Sequence, residues 1–145
     1  MKLPQLHIKN VSLPMKSSSF LYLVIFSLVF VGVAHAQNRQ IKNGDKFYEQ
    51  MIYPSAAREY ERGLLKGLDL RAMERVADCY VQLSNTKQAE KWYGEVVKMK
   101  GAAPINKYRY GQMLKTNGKY EEARNWFEAY LQTGENPVLG ARMIE

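Results

Sequence analysis

Two histidines, His7 and His35, and one cysteine, Cys79, are the only imidazole and thiol groups in the 145-residue chain. A serine or cysteine nucleophile needs an adjacent base, and an imidazole metal site needs several convergent ligands. Both histidines fall within the first 35 residues, and Cys79, between Asp78 and Tyr80, has no histidine near it in sequence. It reads as a small packing residue and has no intrachain partner for a disulfide. The closest carboxylate pairs are Glu121-Glu122 and Glu59/Glu61. They fall at the starts or on the outer faces of helical segments, where water and the helix dipole favour acidic groups. Trp92 and Trp126 have the rings to stack on a glycan, but each stands beside another aromatic at the same spacing, which assigns them to contacts between structural units. With no phosphate loop, metal cluster or nucleophile elbow, the expectation is a protein that is not an enzyme and takes no cofactor and no metal. The chemistry that remains is a column of cations at regular spacing, Lys42, Arg75 and Arg109.

What positions these residues begins after a leader. Lys2, Lys9 and Lys16 precede the apolar run Phe20–Val33, which ends at Ala34-His35-Ala36. A basic start, a short apolar core and a small-x-small tripeptide describe a secretory signal peptide over 1–36, cut before Gln37. The run is shorter than the roughly 20 residues of a membrane span, and the alternative is that it stays uncleaved as an anchor. Cleavage removes both histidines and leaves 18 Lys+Arg against 14 Asp+Glu, a charge of +4 in place of +7. So mild a charge gives no reason to expect a nucleic-acid partner. No cysteine stands at the cleavage point to carry a lipid, so the exported chain is expected to be soluble, touching a membrane only through an uncleaved leader or a partner.

The remaining sequence repeats itself. Ala77, Tyr80, Ala89 and Tyr93 are matched 34 residues on by Gly111, Leu114, Ala123 and Phe127, and 33 residues back by Gly44, Phe47, Ala56 and Tyr60. Residues three and four apart share a helix face, so each unit reads as two helices. Breakers stand between them: Met51–Tyr53 before Pro54, Ser84-Asn85, and Asn117-Gly118. Asn and Gly accept the left-handed turn that ends a helix, and Pro54 suits the first turn of the next. Small residues then allow close backbone approach, and the aromatics are expected to fill the gap between one hairpin and the next. Helices are predicted near Asn38–Met51, Pro54–Lys66, Leu70–Ser84, Lys87–Lys100, Pro104–Asn117 and Tyr120–Gln132.

The stretches Gly44-Asp45-Lys46-Phe47 with Ala56 and Tyr60, Ala77-Asp78-Cys79-Tyr80 with Ala89 and Tyr93, and Gly111-Gln112-Met113-Leu114 with Ala123 and Phe127 resemble the tetratricopeptide repeat (TPR) family. The fold expected is all-α, a TPR-like solenoid of about three hairpins: 37–69, 70–103 and 104–137. Residues 138–145, with Val138, Leu139, Met143 and Ile144, read as a capping helix or the start of a further repeat.

In such a stack the first helix of each hairpin lines the concave side, where the resemblance implies a bound peptide or partner tail. The candidates there are Lys42, Asp45 and Tyr48, then Arg71, Arg75 and Asp78, then Tyr108, Arg109, Gln112 and Lys115. Guanidinium groups make bidentate bonds to carboxylates, so the column Lys42, Arg75 and Arg109 is read as attracting an acidic segment. The competing reading makes these solvated charges beside Asp45 and Asp78.

A finer resemblance joins the leader to Ala89-Glu90-Lys91-Trp92-Tyr93, Tyr108-Arg109-Tyr110-Gly111 and Asn117-Gly118-Lys119-Tyr120-Glu121-Glu122-Ala123. This order is similar to the N-terminal region of Bacteroidota OmpA family envelope proteins, some of which serve type IX secretion and gliding. It implies a periplasmic location at the outer-membrane side, with another envelope protein as partner. Two functions are then in view: an adaptor that docks onto that protein, or a structural spacer at the amino end of a longer peptidoglycan-anchoring protein.

Overall fold

The structure is a computed structural model and describes residues 37–135 together with Tyr22. The chain divides into two compact units, Met1–Gly32 and Val33–Glu145. The helices below belong to the second. Apart from Tyr22, the expected signal peptide lies outside the described residues, as does the tail 138–145.

Six helices follow one another with no strand among the described residues: α1 (37–49), α2 (Tyr53–Leu64), α3 (Leu70–Gln82), α4 (Thr86–Val96), α5 (Ile105–Thr116) and α6 (Tyr120–Leu131). Four of the starts have a local cause. The Asp69 side chain accepts from the Ala72 amide at 2.8 Å and the Asn85 side chain from Gln88, capping α3 and α4. Pro54 sits in the first turn of α2, and Glu121 and Glu122 lie in the first turn of α6.

The three hairpin turns share one geometry. Met51, Ser84 and Gly118 take φ of 59°, 55° and 82°, and the amides of Ile52, Asn85 and Lys119 then donate to the carbonyls of Phe47, Tyr80 and Leu114. This is a Schellman closure. Sequence reasoning placed the left-handed residue on Asn or Gly; only Gly118 fits. Met51 and Ser84 hold it because the closing bonds and the packed hairpin offset a left-handed penalty of roughly 1–2 kcal/mol.

The small and bulky columns form the core, with one correction. A Cβ on Gly44 would stand 2.6 Å from the Tyr60 ring, and one on Gly111 would stand 2.6 Å from the Phe127 ring. The aromatics therefore pack first into their own hairpin, against its small residue, and only then against the next hairpin. Tyr60 does both: it clusters with Ala56 and Ala57 and with Ala72, Val76 and Cys79 of the following unit. Tyr108, Leu114, Ala123, Phe127 and Tyr130 form the core of the third hairpin. Trp92 packs against the first cluster, between hairpins as expected, whereas Trp126 meets Tyr110 of its own hairpin at 5.1 Å, edge to face.

Polar groups fix the junctions. Asn117 donates to the Glu90 side chain at 2.7 Å and Lys119 to the same carboxylate at 2.7 Å, while the Thr86 hydroxyl donates to Asn117. Asn106, only 1% exposed, donates to Glu74 at 2.6 Å and leaves its Oδ1 without a partner.

Candidate functional site

The first helices of the hairpins present one continuous polar face, and the side chains on it are tied to one another. Asp45 on α1 lies one position beyond the small residue Gly44, which turns it toward both its own hairpin and the next. It accepts the Tyr60 hydroxyl at 2.8 Å, and Arg71 from α3 closes on its two oxygens at 2.7 and 3.1 Å. Asp78 holds the same place on α3. It accepts the Tyr93 hydroxyl at 2.5 Å and faces Arg109 of α5 at 3.6 Å. Arg75 lies with its guanidinium 4.3 Å from the centre of the Tyr48 ring, a cation–π contact across α1 and α3.

This network sets the electrostatics. Burial pushes the Asp45 carboxyl up, but the hydrogen bonds from Arg71 and Tyr60 and the nearby guanidinium charge outweigh it, and the net shift is downward. Tyr60 and Tyr93 move the other way, because burial and a carboxylate neighbour both oppose a phenolate. Arg71 and Arg109 are held but not hidden: their side chains remain 55% and 39% exposed, with N–H donors left over toward solvent. Asp45, Tyr48, Glu49, Tyr60, Arg71 and Arg75 enclose a hollow of about 160 Å³ on this face.

The structure thus brings together Asp45, Tyr48, Arg71, Arg75, Asp78 and Arg109. The four other predicted residues take no part in those contacts. Lys42 is exposed and lines a separate hollow with Asn38, Arg39, Asn43 and Lys46. Tyr108 is buried against Phe127 and Tyr130, with ring centres 5.8 and 5.6 Å away, so its ring is a core element rather than a contact surface. Gln112 donates to the Tyr108 hydroxyl at 2.9 Å. Lys115 is exposed, and none of the described ion pairs includes it.

Sequence reasoning missed the part played by the Tyr60 and Tyr93 hydroxyls. A signal for it exists: Asp45 with Tyr60 and Asp78 with Tyr93 stand 15 apart, and at that spacing the third hairpin has Gln112 with Phe127, losing the hydroxyl donor and the carboxylate charge together. The buried Cys79 thiol is pushed up to about 12, by burial first and the Asp78 charge second, which removes it from nucleophilic chemistry. Among the described residues no group of three His, Cys, Asp or Glu side chains is placed to hold a metal, and no helix is long and apolar enough to cross a membrane.

Helical hairpins stacked through recurring small and aromatic columns define an all-α repeat solenoid. The sequence profile of the tetratricopeptide repeat matches residues 70–102 and 106–133, and the fold is TPR-like. Solved structures agree. The first TPR of Spaghetti (RPAP3), bound to the HSP90 peptide SRMEEVD, superposes with a TM-score of 0.64 at 19% identity, over 77% of this chain and 89% of that one. The second TPR domain of human RPAP3, in complex with the HSP70 peptide SGPTIEEVD, gives 0.64 at 20%, over 74% and 94%. PcrH, in complex with the chaperone-binding region of PopB, gives 0.60 at 17%, over 74% and 90%. Among curated proteins none is significantly similar in sequence.

Proposed function

We propose that this chain is a non-catalytic adaptor whose α1/α3/α5 face holds an acidic segment of a partner protein. The observation that carries this reading is the set of three arginines fixed along that face. Arg71 and Arg109 are anchored on Asp45 and Asp78, and Arg75 on the Tyr48 ring. Anchoring lowers the entropy lost on binding, and the exposed edges of the guanidinium groups supply donors for an incoming carboxylate. The RPAP3 domains hold peptides that contain the letters EEVD, so a TPR fold of this kind has room for an acidic segment.

The leader Met1–Ala36, if removed as its pattern predicts, delivers the hairpins across the inner membrane. We place them in the periplasm, at the outer-membrane side, with another envelope protein as partner, in keeping with the resemblance to OmpA family envelope proteins. A competing reading, the structural spacer at the amino end of a longer peptidoglycan-anchoring protein, is favoured by the same internal pairing, which satisfies two of the arginines without any ligand.

One titration separates the two. Labelled SRMEEVD peptide is added to the protein and followed by anisotropy, beside a version with Gln and Asn replacing its acids. Saturable binding of the acidic form alone, weakened about tenfold or more by Arg75→Glu with Arg109→Glu, supports the adaptor. Absence of binding, or binding indifferent to the reversal, sinks the acidic-segment reading and leaves the spacer. Amino-terminal sequencing of the periplasmic fraction tests the location: a chain starting at Gln37 supports it and one starting at Met1 overturns it.

A further inference from the structure

A hollow of about 460 Å³ in the second unit shares no residue with the polar face. It opens between the end of α2, the α2–α3 connection and α4. Leu64, Met73 and Trp92 form its apolar interior, and Leu65 and Leu68 stand at its edge, 87% and 74% exposed.

Stacking does not require those two leucines. One repeat further on, at the same spacing of 33, their places are taken by Lys98 and Gly101, and the α4–α5 junction packs with an exposed Lys98–Glu95 pair there. Two large aliphatic side chains left in water beside an apolar hollow cost free energy that the fold itself does not recover. The charges around them have one sign to spare. Arg58, Arg62 and Lys91 line the hollow against a single carboxylate, Glu61, which already accepts the Tyr80 hydroxyl at 2.8 Å. Arg62 pairs with Glu59 at 2.7 Å, and Lys91 lies 5.7 Å from the centre of the Trp92 ring. Arg58 is exposed, and none of the described ion pairs includes it.

We infer that this hollow is a second docking surface, taking an amphipathic segment of a partner protein that carries large aliphatic side chains flanked by carboxylates. The aliphatic groups cover Leu65, Leu68 and the Trp92 ring, and the carboxylates meet Arg58 and Lys91. The complementarity of charge selects an acidic partner over a basic one, and a second copy of this chain, with its excess of cations, is a poor match. The surface is independent of the polar face, so a single chain can hold two segments at once and act as a bridge between them.

The test uses the 145-residue chain and three labelled helical peptides of equal length built from Leu/Ala/Glu, Leu/Ala/Lys and Ser/Ala/Glu. Only the first is expected to bind saturably. Leu65→Ser with Leu68→Ser, and separately Arg58→Glu, should each weaken it about tenfold or more, since a few central contacts dominate such surfaces. Arg75→Glu with Arg109→Glu should leave it unchanged, which separates this result from failure of the polar-face reading. Both leucines point to solvent, so circular dichroism and the melting temperature of the double variant should match the parent. No binding by the Leu/Ala/Glu peptide, equal binding by the Leu/Ala/Lys peptide, or loss confined to the Arg75/Arg109 variant overturns the inference. Self-association abolished by the leucine pair overturns it too, in favour of a second copy.

Discussion

The Tyr93 hydroxyl donates to Asp78 across the second hairpin, on an aspartate that also faces Arg109 of the third. One carboxylate thereby closes its own hairpin and ties it to the next. Tyr93→Phe keeps the ring and removes only the donor. A loss of about 1 kcal/mol is expected, lowering the melting temperature by about 4–8 °C. Urea and thermal denaturation check it, and an unchanged midpoint would show that the bond contributes nothing net.

Gly44 and Gly111 are required by the rings above them. Alanine improves helix propensity by about 1 kcal/mol but sets a Cβ 2.6 Å from Tyr60 or Phe127, an overpacking cost of about 1–3 kcal/mol. Gly44→Ala and Gly111→Ala are both expected to destabilise. Gly101→Ala, where φ is +87° and no atom lies within 4 Å, tests backbone strain alone and should cost about 1 kcal/mol. Denaturant midpoints of the three variants, measured side by side, separate crowding from strain.

Cys79 should be a silent thiol. It is fully buried and its ionisation is pushed up to about 12. Labelling by a thiol reagent at neutral pH is expected to track the unfolding rate and to become immediate in denaturant. Fast labelling of the folded protein would contradict its place in the core.

Stability should fall at both ends of the pH scale. The carboxyls of Asp45 and Glu90 are both pulled down: burial raises them, but Arg71 and Tyr60 at the first, and Lys119 and Asn117 at the second, more than reverse it. A depressed folded-state value gives stability that is present above the unfolded value, near 4, and lost as pH falls through the folded one. The phenols of Tyr60, Tyr80 and Tyr93 and the Cys79 thiol are raised, Tyr80 and Cys79 to about 12. Their contribution is complete below the unfolded values and is lost as pH climbs through the folded ones, so erosion begins near pH 9 for the thiol and near 10 for the phenols. Urea midpoints measured from about pH 3 to about pH 11 should trace a plateau with two falling shoulders; a flat alkaline limb would show that these groups are not buried as described.

The hairpin pattern was legible because helix packing demands small residues where backbones approach, and Gly44, Ala77 and Gly111 announce it. Helix ends came within a few residues for the same reason, since Pro54, Asn85 and Gly118 act locally. The left-handed residues Met51 and Ser84 were not legible: nothing in their side chains prefers that conformation, and the closing bonds from Ile52 and Asn85 impose it. The cationic column was visible as composition, but whether a guanidinium meets water, an aspartate or a ring depends on the angle between neighbouring helices. That angle set Arg71 on Asp45 and Arg75 on Tyr48 while leaving Lys42 elsewhere. Tyr108 lay in a similar blind spot, three residues from Gly111 and turned toward α6 by the helical period.

The buried amide of Asn106 has a bearing on assembly. At the junction of the second and third hairpins it meets Glu74, whereas the matching columns at the first junction hold Ala72 and Ile41, both apolar and in one cluster. A molecule that set its third hairpin directly on its first, or exchanged hairpins with a neighbour out of sequence, would press the amide against an isoleucine and strand it at a cost of about 1–3 kcal/mol. The pair works as a lock-and-ward that admits one stacking order, so shuffled versions of these hairpins should assemble poorly even though each keeps its own core.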